Sequence, residues 1–114
     1  MQRRYWKEGE NMAWYAYLAY FFAGVFLANG IPHFVHGISG KEFSSPFAKA
    51  PDTGESSPIV NVIWGAVNFL IGYVLIFKVG HFQVGLTVGA LMVGLGALVT
   101  AVGLAWSFGR MHSR

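Results

Sequence analysis

The sequence predicts an all-α membrane protein: three transmembrane helices, with a Ser/Pro-rich extramembrane connection between the first and the second. Three observations lead there. Of the 114 residues, 54% are hydrophobic and only 11% charged, a balance foreign to soluble globular domains. The apolar residues gather in three long runs, about 12–31, 58–77 and 84–106, and none of these contains Asp, Glu, Lys or Arg. The stretch between the first two, about 37–57, is rich in Ser, Pro, Gly and charged side chains, as a connection outside the bilayer should be. At this length the whole chain, 1–114, is expected to form a single three-helix domain.

The first run begins after Asn11, a residue type suited to capping a helix, and carries Trp14, Tyr15, Tyr17 and Tyr20 on its early turns, where amphipathic rings favour the headgroup level. About twenty residues at ~1.5 Å each match a hydrocarbon core of ~30 Å. Arg3, Arg4 and Lys7 ahead of it give the look of a signal peptide. The run is too long and too aromatic for one, and no small-x-small cleavage site precedes a soluble segment, so it reads as a span. In the connection, Ser-Ser-Pro occurs twice, at Ser44 to Pro46 and Ser56 to Pro58. A serine followed by proline supplies an N-cap oxygen and an N1 residue whose missing N–H is not needed. The second copy is expected to start a membrane helix. The first is expected to start a turn or a short interfacial helix, with Phe43 and Phe47 against the membrane surface.

In the second run Asn61, Gly65, Asn68 and Gly72 share one helical face. That face reads as a packing seam, because small residues admit a neighbouring backbone and an asparagine facing lipid would go unsatisfied. Lys78-Val79-Gly80-His81 reads as a tight turn. The third run, roughly 23 residues and about 35 Å if helical, carries Gly85, Gly89, Gly96 and Gly103, with Met92 and Thr100, at heptad-like spacing. Gly85 and Gly89 form a Gly-x-x-x-Gly pair, and the row is expected to pack against another helix. Trp106 and Phe108 mark the far interface, and residues 110–114 form a basic tail.

The formal net charge of +3 comes from eight Lys and Arg residues spread over tails and loops, so it forms no nucleic-acid-binding face. With three spans, Arg3, Arg4, Lys7 and Lys78 lie on one side and Lys41, Lys49, Arg110 and Arg114 on the other, a tie under the positive-inside rule. The cluster just ahead of the first helix points to a cytoplasmic N-terminus. The absence of cysteine excludes disulfides, thiolate metal sites and cysteine nucleophiles. No hydrolase motif, phosphate loop or dinucleotide fingerprint occurs, so no catalytic residue is assigned. The acids all lie outside the apolar runs, which argues against a carboxylate-driven antiporter.

The polar constellation lies where the first run ends. Asn29, His33 and His36 fall at i, i+4 and i+7 and share a face if the helix continues through Pro32, whereas Pro32 can also kink or end the helix. Asn29 and Pro32 therefore mark a joint. His33 and His36 stay neighbours in either case, and imidazoles of this kind hold haem, a metal or a pigment, or shuttle protons. No third strong ligand is near in sequence, so cofactor and metal identity stay unassigned. In the plainer alternative the two histidines hydrogen-bond the connection, or Asn61 and Ser57, and fix how the chain returns.

Asn29-Gly30-Ile31-Pro32-His33-Phe34-Val35, then Gly37, Gly40, Phe43, Ser45-Pro46-Phe47-Ala48, Gly54, Ser56-Ser57, Val60-Asn61-Val62 and Trp64-Gly65 resemble a family of small, uncharacterised bacterial inner-membrane proteins. The resemblance covers the middle third of the chain and implies a multi-pass protein of the inner membrane. A further similarity is to DoxX-like four-helix membrane proteins, whose first helix also ends in a Gly and His or Lys pattern. The expected function is that of a non-enzymatic structural or accessory subunit of an inner-membrane complex, or of a homo-oligomer, assembled in the lipid bilayer through the Gly and Asn seams. The alternatives are a cofactor-binding or redox-linked protein using His33 and His36, and a small transporter or channel using the polar face of Asn61 and Asn68.

Overall fold

The computed structural model of the chain describes residues 13–44 and 55–112. Three helices dominate: α1 (Trp14–Ile38), α2 (Pro58–Phe77) and α3 (Val88–His112). Between α1 and α2 lies a two-residue antiparallel ladder, β1 (Phe43–Ser44) with β2 (Glu55–Ser56), in which Phe43 pairs with Ser56 and Ser44 with Glu55. All three helices are long and apolar enough to cross a membrane, and the chain is a multi-pass membrane protein. The first Ser-Ser-Pro copy, apart from the backbone of Ser44, and the expected interfacial Phe47 lie outside the described residues, as do Asn11 and the basic N-terminal cluster.

The first span is longer than the apolar run. α1 continues through Pro32 to Ile38, correcting the expected end near residue 31. A proline inside a helix removes one backbone donor, but the chain does not stop there, because the true stop signal comes later. Gly40 adopts φ +73°, Gly40 N donates to Gly37 O and Lys41 N donates to His36 O. This pair of bonds is the Schellman motif, and a left-handed residue at that position is what glycine supplies without steric penalty. α2 opens as its sequence reads: the Ser57 hydroxyl accepts from Val60 N at 3.3 Å, with Pro58 in the first helical turn.

The third helix starts later than the apolar run. Gly85 has φ +124° and lies in the connection, so the expected helical Gly85–Gly89 pair does not exist as such. The cap is Thr87, whose hydroxyl donates to Gln83 O at 2.8 Å and accepts from Ala90 N at 3.1 Å. α3 then runs past Trp106 to His112, and Arg110 lies 4.8 Å over the Trp106 ring.

α1 is the central helix. α2 and α3 each pack along it and hardly touch one another. Ala16, Tyr20, Ala23 and Ala28 of α1 are buried between them, and the Tyr20 ring meets Phe82 of the α2–α3 connection edge-on at 5.3 Å. Large apolar side chains such as Ile59, Ile63, Leu70, Leu91, Leu98 and Val102 point outward, the arrangement expected where lipid replaces water.

A polar and glycine-lined joint between α1 and α2

The α1–α2 contact is built on glycine. A Cβ added to Gly65 would lie 3.0 Å from Gly30 O, and one added to Gly30 would lie 3.0 Å from Gly65 O, so the two backbones cross there at the closest approach that two glycines allow. Towards the α1 C-terminus Gly37 meets Pro58 O and Val62, and in the other direction Gly72 meets Leu27 and the Ala23 carbonyl. The contacts on α1, at positions 23, 27, 30, 34 and 37, repeat in threes and fours and form one stripe. Asn61, Gly65, Asn68 and Gly72 of α2 are all buried facing it.

Polar bonds flank the glycine crossing. Asn29 Nδ2 donates to Asn68 Oδ1 at 3.1 Å, and Asn68 Nδ2 donates to Trp64 O at 2.8 Å. Asn61, with no exposed surface, is the hub: its Nδ2 faces the carbonyls of Phe43, Ser56 and Ser57, each at 3.1 Å, and its Oδ1 faces His33 Nδ1 at 2.9 Å. One side chain thus ties the end of α1, the β ladder and the start of α2. Carbonyls only accept, so the amide nitrogen of Asn61 must be the atom that faces them, and its oxygen must accept a hydrogen bond from the His33 Nδ1–H. His36 Nδ1 sits 2.8 Å from Pro32 O, which again can only accept. Both neutral imidazoles are therefore Nδ1–H tautomers with the lone pair on Nε2.

Phe43 closes the joint from above. Its ring stacks on His36 at 4.0 Å and 18°, meets His33 edge-on at 5.2 Å, and touches Phe108 of α3 at 4.8 Å. It is 7% exposed, which corrects its expected position on the membrane surface. The ladder and Asn61 explain the difference, since both hold the Phe43 backbone inward.

Of the expected packing glycines on α3, Gly89 and Gly96 are buried, and a Cβ on Gly96 would run into Phe21 O. A Cβ on Gly103 would meet nothing within 4 Å, nor would one on Gly85. A Cβ on Gly24 of α1 would in turn run into Val93 O and meet Ala97 N, so α1 and α3 cross with Gly24 and Gly96 each set against the other helix's backbone. Gly24, Gly30 and Gly37 of α1 went unassigned in the sequence, although Gly30 and Gly37 lie one heptad apart. Neither Phe43 nor Phe108 carries a sequence signal for a contact that spans so much of the chain. Among the described residues no group of three or more His, Cys, Asp or Glu gathers in one place. Tyr17 carries a buried hydroxyl without a hydrogen-bond partner.

Fold and joint together define a class: a three-helix, multi-pass membrane protein whose first two helices are locked by a glycine crossing and an asparagine–histidine network. No family model matches the chain, and no curated protein or solved structure does so either.

Proposed function

We propose that the chain is a structural or accessory subunit of an inner-membrane complex, or of a homo-oligomer, and that α3 presents the assembly surface. The observation that carries this reading is the unequal covering of the helices. The Asn/Gly seam of α2 is engaged by α1 within the chain, so it is not free to bind a partner. In α3 only 11% of the most apolar window is buried, against 33% in α1 and 28% in α2. Small residues on the open faces of α3, Gly94, Ala101 and Ala105 among them, leave room for a close helix neighbour. Native mass spectrometry after co-purification in mild detergent tests the reading. A dimer, a higher oligomer or a stoichiometric complex is expected, and a monodisperse, partner-free monomer would overturn it.

A second reading, in which His33 and His36 hold haem, a metal ion or a pigment, is favoured by one observation. Both rings are oriented by a hydrogen bond from Nδ1 to an oxygen, as ligating histidines are, and so offer Nε2 as the donor atom. An absorption spectrum and metal analysis of the purified protein decide it; a colourless, metal-free sample would remove this reading. The transport reading finds no such support, because Asn61 and Asn68 are buried and hydrogen-bonded within the chain.

A further inference from the structure

Two features of α3 stand apart from the rest of its packing. Beyond the Gly24–Gly96 crossing the helix has less cover: from Ala101 to Arg110 only Leu104 and Phe108 are half-buried and the rest are exposed, and the space beside Gly103 is empty to 4 Å. At the end of that uncovered half, the Phe108 ring rests on Phe43, the same ring that stacks on His36 and meets His33 edge-on. A single phenyl group thus lies between the end of α3 and both imidazoles. The backbone on either side gives this arrangement an anchor and a strap. The glycine crossing fixes α3 to α1 ahead of that half, and Phe43 sits on a two-residue ladder that closes the connection between α1 and α2.

We propose that Phe43 is a latch: its ring is held between the His33–His36 pair and Phe108, so that an outward swing of the C-terminal half of α3 uncovers the two imidazoles. In the closed state the Phe43 ring covers a face of His36 and the edge contact shields His33, which is 5% exposed. In the open state Phe43 loses its outer partner and the Nε2 lone pairs become reachable from the side of the membrane that carries the α1–α2 connection. The latch couples the α3 face to the joint, but it does not depend on the assembly reading, since its test needs no partner.

The test is carbethoxylation of histidine, in which the ring nitrogen bearing the lone pair attacks a carbonyl carbon of diethyl pyrocarbonate and ethyl carbonate leaves, followed residue by residue by mass spectrometry on the full chain in lipid nanodiscs. His81, exposed on the α2–α3 connection, is the internal reference. An aromatic contact of this size corresponds to roughly a two- to tenfold change in an opening equilibrium. Phe108→Ala is expected to raise the rates at His33 and His36 by about that factor relative to His81. Phe108→Leu, which keeps Phe43 and leaves an apolar side chain against its outer face, is expected to react close to the wild-type rate. The latch is overturned if Phe108→Ala leaves both rates unchanged, or if it raises His81 equally. It is overturned as well if Phe108→Leu reacts as fast as Phe108→Ala.

Discussion

The two faces of α1 are used in opposite ways. Towards α2 it combines a reciprocal glycine crossing with a network centred on Asn61 and a second bond from Asn29 to Asn68. Towards α3 it offers a crossing at Gly24 and Gly96, beyond which Thr100, Leu104 and Phe108 continue the less exposed stripe of α3 and Phe108 reaches Phe43. In lipid, burying apolar surface brings little net gain, so helix association rests on close backbone packing and on polar groups that would otherwise be unsatisfied. By that measure the α1–α2 pair is complete within the chain, whereas α3 has a glycine crossing and the least covered surface of the three helices. The contrast teaches that the asparagines here close the fold, and that the least covered surface is the apolar one of α3.

Substitutions can break or sharpen this contrast, and the largest effect is expected at the hub. Asn61→Leu strands the His33 Nδ1–H and takes a donor from three carbonyls, and should destabilise the protein by about 3 kcal/mol, since each buried group left unpaired costs about 1–3 kcal/mol. Reversible unfolding in detergent or bicelles would show it. Gly65→Ala is next: its methyl would lie 2.8 Å from Phe34 N and 3.0 Å from Gly30 O, which predicts a loss of about 2 kcal/mol in the same assay. Asn68→Leu removes the acceptor of Asn29 and should cost about 1 kcal/mol. Gly103→Ala, with nothing within 4 Å of the new methyl, should change the stability of the isolated chain by less than about 0.5 kcal/mol. If Gly103→Ala destabilised the isolated chain as much as Gly65→Ala, the two faces of α1 would not differ as described.

How far these features could be read from the chain follows from whether each is local. Ser57-Pro58 marks the start of α2 because cap and first turn are neighbours in sequence, and the 58–77 range read there is where the helix runs. The end of α1 lies beyond the expected one because two local signals compete. Pro32 is the louder, yet a helix tolerates it, and Gly40 with its Schellman bonds is the actual stop. Gly85 was placed in α3 because an apolar run does not reveal that Thr87 caps the helix. The joint was half legible. Asn61 and His33 were adjacent candidates, because one lies at the end of a span and the other at the start of the next, on the same side of the membrane. Phe43 was not, since its place depends on a ladder and a ring contact from residues far along the chain.

The central claim, that α3 carries the assembly face while α2 does not, is tested most directly by site-specific photocross-linking in native membranes. A benzophenone side chain is placed at Leu98, Ala101 or Ala105 of α3 and at Ile63, Val67 or Leu70 of α2, all outward-facing positions. Discrete adducts of defined mass, to a second copy of the chain or to one partner, are expected from α3 and only lipid adducts from α2. Protein adducts of equal yield from both helices, or lipid adducts alone from α3, would contradict the account.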